Sequence, residues 1–397
     1  MDHKKLKNQK KRKSFLLVFF LLLPLLSSCW DSNEPERIIY VQGLGVDYKN
    51  GAYTVYLQLI NPSLIAKSET ASKNQQAKVV VGNASGRTLN EAIFNLYRSS
   101  QRRIFWGHLS FFVLTEEALQ EGALQATLDL LDRYRETRYL TWVYATKEPL
   151  KELLSAIPPL EMSTYFSRLS DPEAAYEQSS FIDPVNMREI LIALNEPPHE
   201  AIIPYVRLAK HTWKTNKKTD QIVQFSGAAF VTKNNLKNTL SYKKIKGLKW
   251  LNEDLKREEI SIKEESASVS LLIDKLKVKK KVVVTGRDVR FQISVEVDAI
   301  LWGLMHPKKL KDVQNAAEET MRNEIKQTFL EGIKTNTDVY RLSEEVYRNH
   351  LKTWQAVEKN GKVPLTEESL QSISVKIKLI HGGEQRKRPT LHSQQSR

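Results

Sequence analysis

The stretch SGRTLNEAIFNLYRSSQRRIFWGHLSFFVLTEEALQEGALQATLDLLDRYRETRYLTWVYAT, residues 85–146, alternates helical and strand patterns. Thr-Leu-Asn-Glu at 88–91 is a helix start, and the apolar side chains that follow it share one helical face: Ala92, Ile93, Leu96 and Tyr97. Residues 109–114 predict a short buried strand, residues 115–117 cap a second helix, and residues 140–145 predict another strand. We therefore expect a sheet with helices across one face.

A predicted β-hairpin precedes this stretch. Residues 38–41 and 53–60 are rich in β-branched and aromatic side chains, which favour strands. Asn50-Gly51 lies between the two runs and is a strong signal for a tight hairpin turn.

The pattern is weaker in the middle of the chain and strong again near its end. Prolines separate short helical stretches in residues 148–206, which we interpret as the edge of a first domain and a connector. Residues 225–231 predict a strand, residues 233–235 a turn, and the residues from Leu236 onward a partner strand.

The last part of the chain predicts two strands, a long helix and a closing strand. KLKVKKKVVVTG and FQISVEVDAIL alternate polar and apolar residues, and Ile373–Ile380 is the closing strand. The helix follows Pro307, and its apolar residues recur at helical spacing: Val313, Ala316, Ala317, Met321, Ile325, Phe329 and Ile333.

These patterns predict a multi-domain α+β fold, with mixed or antiparallel sheets each packed with helices. The chain has 397 residues, of which 41% are hydrophobic, enough for two or three domains with packed cores. The expected divisions are a leader (1–28), an N-terminal α+β domain (29–205), a middle α+β domain (206–285), a C-terminal α+β domain with the long helix (286–380) and a basic disordered tail (381–397).

The first residues resemble an export signal. Seven of the first thirteen residues are Lys or Arg, and the twelve residues from Phe15 to Leu26 are uncharged and apolar. A helix that crosses a bilayer needs about 20 apolar residues, so this run is too short to span one comfortably and suits a signal peptide. Outside residues 1–13 the net charge falls from +15 to +9, which suits a nearby anionic lipid, an acidic partner surface or ordinary solubility.

Cys29 is the single cysteine of the chain, so it cannot form an internal disulfide. It follows Leu26, Ser27 and Ser28, an aliphatic residue and two small residues that resemble a bacterial lipobox. The thiolate would accept a diacylglycerol as a thioether, and cleavage would leave Cys29 as the first residue. The alternative is a buried free cysteine behind a signal anchor.

The order of motifs after Cys29 resembles the Ger(x)C family, the C subunits of spore germinant receptors. The resemblance begins with Trp30-Asp31 and the run Gly-Leu-Gly-Val-Asp that ends at Asp47. It continues through the Arg-rich step RRIFWGH, which contains Arg103, Trp106 and His108, and covers nearly the whole chain after Cys29.

Later motifs of the family are present as well. A strand holds Gly227, Ala229 and Phe230, and GLKWL at 247–251 contains Trp250; Asp338, Trp354 and the closing strand complete the C-terminal pattern. Lys249 stands where the family usually has an apolar residue, and we expect its side chain to reach solvent from an edge.

The resemblance implies partners and a location. The family's C subunit is held by diacylglyceryl-Cys29 on the outer leaflet of the spore inner membrane, with two integral-membrane subunits of the A and B types. The assembly responds to small nutrients such as amino acids, sugars or nucleosides. Whether this subunit binds the nutrient itself stays open.

No catalytic, cofactor or metal motif appears in the sequence. His108 follows Gly107 and could act as a base, but no carboxylate or nucleophile is close in sequence, so a structural role is favoured. The basic run KLKVKKK lacks stacking aromatics and indicates a solvated strand face rather than a nucleic-acid site. The candidate structural or interaction residues are Trp30, Asp47, Arg103, Trp106, His108 and Trp250.

The expected function is therefore binding and assembly within a germinant receptor, without catalysis, cofactor or metal. The alternative is a lipid-anchored extracytoplasmic solute-binding protein or enzyme that acts alone.

Overall fold

The computed structural model describes residues 38–60, 79–158, 163–214, 219–264, 267–304 and 310–380. The predicted leader, the predicted tail and the predicted site residues Leu26, Ser27, Ser28, Cys29 and Trp30 lie outside these residues.

A mixed sheet forms the first part of the chain, with strand order β3-β2-β1-β5-β6-β7-β8-β9 and with β4 beside β1. Its parallel pairs are β1 with β4 and β5, β5 with β6, and β6 with β7; the other pairs are antiparallel. The strands are β1 (Ile38–Lys49), β2 (Ala52–Ile60), β3 (Val80–Gly86), β4 (Arg103–Phe105), β5 (Phe111–Thr115), β6 (Trp142–Thr146), β7 (Glu200–Lys214), β8 (Thr219–Thr232) and β9 (Leu236–Ser241).

The predicted hairpin is confirmed. β1 and β2 pair antiparallel from Lys49 opposite Ala52 to Tyr40 opposite Ile60. Asn50 and Gly51 connect them, with φ values of 53° and 79°. Positive φ at both central residues is the requirement of the tight turn that matches the twist of paired strands.

Helices cover both faces of this sheet, so the expectation of helices across one face was wrong. Alternate side chains of β5 enter two cores: Phe112 and Leu114 one core, Phe111 and Val113 the other. The first core is covered by α1 (Leu89–Ser99), α2 (Glu116–Gln120), α3 (Ala123–Arg133) and α6 (Met187–Asn195), and the second by α4 (Leu150–Ser155). β5 is buried at all five positions and apolar at the first four, so it has no solvent face, and this signal favours coverage on both sides.

The short helices predicted in residues 148–206 are present, and two of them pack in the cores of the first sheet rather than in a separate connector. Besides α4 and α6 these residues hold α5 (Pro172–Gln178), and Leu150, Leu153 and Leu154 pack against the sheet. Asn186 and Glu189 form a capping box at the start of α6. The apolar periodicity of this region is difficult to recognise in the sequence because prolines interrupt it.

A second sheet has the order β10-β11-β12-β13, with β12 and β13 parallel and the other pairs antiparallel. Its strands are β10 (Glu258–Glu264), β11 (Ala267–Thr285), β12 (Asp288–Leu304) and β13 (Leu370–Ile380). The helices that follow β12 are α7 (Leu310–Lys334), α8 (Leu342–Asn349) and α9 (Leu351–Val357). The apolar face predicted for α7 packs on this sheet, with Val313, Ala317, Met321, Ile325 and Phe329 buried.

β8 belongs to two hydrophobic cores at once. Ala229 and Val231 enter the core of the first sheet, whereas Ala228 and Phe230 enter the core that α7 and the second sheet share. The sheets therefore divide the chain differently from the expected domains. The division after residue 205 falls inside β7, and the division after residue 285 separates β11 from its hairpin partner β12.

Candidate functional site

A cleft of about 510 Å³ opens where the first sheet and its helix α6 meet the second sheet and α8. Its volume and its place between two packed units are typical of small-molecule sites. Side chains from both units line it, including Ile190, Ala193, Ala201, Ile202, Phe181, Val185, Leu248, Leu251, Lys280, Tyr340, Arg341, Glu344, Glu345 and Arg348.

Lys280 is the cation of this cleft with the fewest partners. Its Nζ donates to the backbone oxygen of Tyr340 at 3.1 Å, and among the described residues no carboxylate lies within ion-pair distance. Burial lowers the pKa of Lys280, while the charges of Asp338, Glu345 and Glu344 favour its protonated form. An ammonium group has three donors, so Lys280 keeps hydrogen-bonding capacity toward the cleft.

Ion pairs border the cleft on the side of α8. Arg348 lies 2.7 Å from Glu344 on the same helix and 2.6 Å from Glu196 at the end of α6, so it joins the two units. The hydrogen bond to Glu196 raises the pKa of Arg348. Arg341 has a φ of 51° and pairs with Glu344, which fixes the start of α8 beside the cleft.

Glu200 forms a second junction between the units. This glutamate is the first residue of β7 and is buried, and its carboxylate contacts Lys237 of β9 at 2.5 Å and also Lys362. Its other oxygen accepts the backbone N–H of Asp338 at 3.3 Å. Burial lowers the pKa of Lys362 to about 8, although Glu200 lies against it. Residues far apart in the chain thus meet at one buried carboxylate.

Asp338, part of the family's C-terminal pattern, caps α8. Its two carboxylate oxygens accept the backbone N–H groups of Leu342 at 2.9 Å and Ser343 at 2.7 Å. These N–H groups belong to the first turn of the helix, where no intrahelical partner exists. The role of Asp338 is structural.

The RRIFWGH motif forms a small aromatic cluster at one edge of the first sheet. Trp106 is fully buried, stacks on Tyr134 with ring centroids 5.1 Å apart, and donates from Nε1 to the Tyr97 hydroxyl at 3.0 Å. Glu136 accepts the backbone N–H of Trp106 at 3.2 Å and pairs with Arg103 at 3.1 Å. The structure therefore brings Arg103 and Trp106 together around Glu136.

His108 is exposed and lies outside this cluster. Its ring meets Tyr40 edge-on, with centroids 4.9 Å apart, and lies 6.4 Å from Phe105. Both of these neighbours are aromatic, and within the described residues no nucleophile or orienting carboxylate is hydrogen-bonded to the ring, as a catalytic histidine would need.

Asp47 lies near the opposite end of β1. It is buried and accepts the hydroxyl of Thr115 at 2.7 Å, while Thr115 caps α2 by accepting the N–H of Ala118. Lys49 pairs with the same carboxylate at 3.2 Å. Asp47 thus fastens the end of β1 to the start of α2.

Trp250 is fully buried in the second core, and its Nε1 donates to Glu324 of α7 at 2.7 Å. The neighbouring Lys249 is 7% exposed, so the expectation that it reaches solvent from an edge was wrong. Glu258 neutralises it at 2.7 Å, and the Trp250 ring lies 4.4 Å from its Nζ.

Sequence patterns did not indicate the residues that border the cleft. Glu200, Lys280 and Arg348 carry no motif, and their partners lie far away in the chain. One signal was available for Lys280: strict alternation in KLKVKKK places it on the same face of β11 as Leu276 and Val278, and the interpretation of the whole run as a solvated face overlooked this.

The described residues contain no group of three or more His, Cys, Asp or Glu side chains placed to hold a metal ion. They also contain no helix with the length and hydrophobicity needed to cross a membrane.

Two family models match the chain in order. The spore germination protein N-terminal domain matches residues 31–208, and the spore germination B3/GerAC-like C-terminal domain matches residues 226–383.

Similar proteins of full length are known. Spore germination protein KC of Bacillus subtilis (strain 168) is 25% identical over 87% of this chain and 89% of its own length. Spore germination protein B3 of the same organism is 21% identical over 94% of this chain and 99% of its own length. The crystal structure of the GerBC protein shares the fold, with a TM-score of 0.54 and 17% identity over 85% of this chain and 97% of that chain.

Proposed function

Because the chain belongs to the GerAC-like family of spore germination proteins, we propose that it is the lipid-anchored C subunit of a spore germinant receptor. The observation that carries the proposal is the order of the sequence. A lipobox-like run ends at Cys29, and the first family model begins at residue 31.

The anchor would be a diacylglyceryl thioether on Cys29. Each buried CH₂ contributes about 0.8 kcal/mol, so two acyl chains hold a protein on a bilayer where one chain would be marginal. The membrane would be the spore inner membrane, and the folded part of the chain would stand on its outer leaflet.

Assembly with two integral-membrane subunits, of the A and B types, would follow from this anchoring. Confinement to a membrane surface raises the effective concentration of the folded units near their partners, so weak contacts suffice. The role we propose is binding and assembly, in keeping with the spore germination family to which the chain belongs.

Replacement of the anchor residue tests this function. Cys29→Ala should abolish labelling with radioactive fatty acid, release the protein from the membrane fraction and reduce germination in response to nutrient. Ser28→Ala is the matched control, because alanine keeps the small side chain before the cysteine and should leave processing intact. Normal germination of Cys29→Ala spores at normal protein levels would refute a role for the anchor.

The cleft favours a second candidate function, direct binding of a small molecule by this subunit. Its volume is adequate, and Lys280 offers a cation with spare donors to a carboxylate. Calorimetric titration of the purified full chain with carboxylate-bearing nutrients should then show heat of binding that Lys280→Met abolishes. Lys281→Met, at an exposed neighbouring position on the other face of β11, should bind as the unchanged chain does. Absence of binding heat from the unchanged chain would eliminate this candidate.

A further inference from the structure

Four parallel strands of the first sheet begin toward the same edge, although not all at one level. Ile38 of β1 lies beside Arg103 at the start of β4. β5 and β6 begin five residues further along β1, where Gly43 lies beside Phe111 and Phe111 lies beside Trp142. The described part of the chain begins at this edge with Ile38. The opposite end of β1 carries the Asn50-Gly51 turn.

Two connecting segments return the chain to the same edge. One leads from α1 into β4, and the other leads from α3 into β6. The segments 98–108 and 132–141 hold six arginines against two acidic residues, Glu136 and Asp132, of which Asp132 accepts the Tyr139 hydroxyl, so this edge is basic. Arg102, Arg135 and Arg138 are exposed, and Arg103, which pairs with Glu136, is also exposed.

Large apolar side chains stand exposed among these arginines. Tyr139 is 51% exposed and Leu140 is 66% exposed, both in the segment just before β6. The segment is held firmly, because the backbone oxygen of Tyr139 accepts the N–H of Arg188 at 2.9 Å. We call the set Arg102, Arg103, Arg135, Arg138, Tyr139 and Leu140 the basic edge.

Surfaces that bind anionic lipid typically combine arginines with exposed aromatic and aliphatic side chains, as the basic edge does. The guanidinium groups attract acidic headgroups, and the aromatic and aliphatic side chains enter the boundary between headgroups and acyl chains. A protein partner would be expected to match this charge with an acidic face, but a membrane matches it without specific contacts.

The length of the tether places the basic edge near the bilayer. Nine residue steps separate Cys29 from Ile38, and at about 3.4 Å per step an extended chain reaches at most about 30 Å. The Asn50-Gly51 turn lies a further twelve-residue strand away, or about 40 Å. A lipid on Cys29 therefore restrains the basic edge much more tightly than the opposite end of the sheet.

We propose that the basic edge lies against the anionic headgroups of the membrane that holds the anchor, so that the first sheet stands with the starts of its parallel strands toward the bilayer. This orientation rests on the proposed lipid anchor at Cys29. It adds a specific surface and a specific ligand class, anionic phospholipid, to that function.

Single-cysteine labelling tests the orientation. With Cys29 acylated, Leu140→Cys or Lys147→Cys supplies the one free thiol of the full chain. Both positions are exposed, and they flank β6 at its two ends, so they form a matched pair. Each variant is labelled with an environment-sensitive fluorophore and reconstituted in vesicles of phosphatidylcholine, with or without phosphatidylglycerol, that contain nitroxide-labelled lipid.

The label at 140 should be quenched at least about twofold more than the label at 147 on vesicles with phosphatidylglycerol. Arg135→Ser with Arg138→Ser should reduce that quenching, and so should high salt. Equal quenching at the two positions, or stronger quenching at 147, would overturn the orientation. Quenching at 140 that is the same on neutral and anionic vesicles would overturn the role of anionic lipid.

Failure of the anchor itself gives a different result. If the unchanged chain took up the fluorophore at Cys29 and stayed out of the vesicle fraction, the proposed anchor would be refuted, and the orientation with it. An acylated, vesicle-bound protein with quenching only at 147 would refute the orientation alone.

Discussion

Lys249 and Glu258 form a buried ion pair of 2.7 Å beneath the surface of the second unit, and the Trp250 ring lies against the same ammonium group. A pair of this kind is costly to break from one side, because the remaining charge keeps its desolvation penalty without its partner.

Replacement of Lys249 alone should therefore destabilise the protein. We expect Lys249→Leu to lower the free energy of unfolding by about 3 kcal/mol, since Glu258 is left largely buried without its cation. Adding Glu258→Gln should restore most of the loss. Urea unfolding of the single and double variants measures both effects, and a single variant as stable as the unchanged chain would show that the pair contributes nothing.

The indole nitrogen of Trp106 should contribute measurably to stability. Trp106→Phe removes the hydrogen bond to the Tyr97 hydroxyl while keeping an aromatic ring, with an expected loss of about 1 kcal/mol. Trp106→Ala should lower the free energy of unfolding by about 3 to 5 kcal/mol because it also leaves a cavity where the buried indole ring was. His108→Ala, two residues away and exposed, is the control and should cost less than about 1 kcal/mol. Thermal and urea unfolding measure these losses, and a His108→Ala variant as destabilised as Trp106→Ala would contradict the prediction.

Lys362 should make stability depend on pH. Its pKa in the folded chain is about 8, below the ordinary lysine value of 10.5. Between pH 8 and pH 10.5 the Lys362 side chain binds more protons in the unfolded chain than in the folded chain. The contribution of Lys362 to the free energy of unfolding therefore rises with pH, by at most about 1.4 kcal/mol per pH unit.

The comparison with Lys362→Met isolates that contribution from other titrating groups. From pH 8 toward pH 10, the free energy of unfolding of the unchanged chain should rise relative to that of the variant. A difference that stays constant over this range would show that Lys362 keeps an ordinary pKa.

The turn between β1 and β2 should require glycine at position 51. Gly51 has a φ of 79°, and an added Cβ would meet no atom within 4 Å, so the cost of Gly51→Ala is that of the backbone conformation, about 1 kcal/mol. Gly82→Ala is the control, since its Cβ would meet only Leu96 Cδ2, at an ordinary 3.5 Å. Equal effects at the two positions would contradict this account.

Local signals predicted the local elements well. The Asn50-Gly51 turn, the cap at Thr88, the cap at Thr115 and the apolar face of α7 each depend on residues within a few positions of one another, and the structure confirms all four. The family was also predicted correctly from ordered blocks of residues, and with it the α+β fold.

What the sequence did not predict depends on contacts between distant residues. Lys249 is buried because Glu258 and Trp250 surround it. Glu200 is buried beneath two lysines from other parts of the chain, Lys237 of β9 and Lys362 after α9. The cleft exists only where the two units meet. Cys29 stays a sequence prediction, since it lies outside the described residues.

The double role of β8 has a consequence for the order in which the protein folds once its chain crosses the membrane. All nine strands of the first sheet precede residue 242, so that sheet can close before the rest of the chain has crossed. The face of β8 that carries Ala228 and Phe230 then stays open to water until α7 has emerged, so we expect a translocating chain to expose an apolar strand face until that helix docks. The contact of Glu200 with Lys362 forms later still.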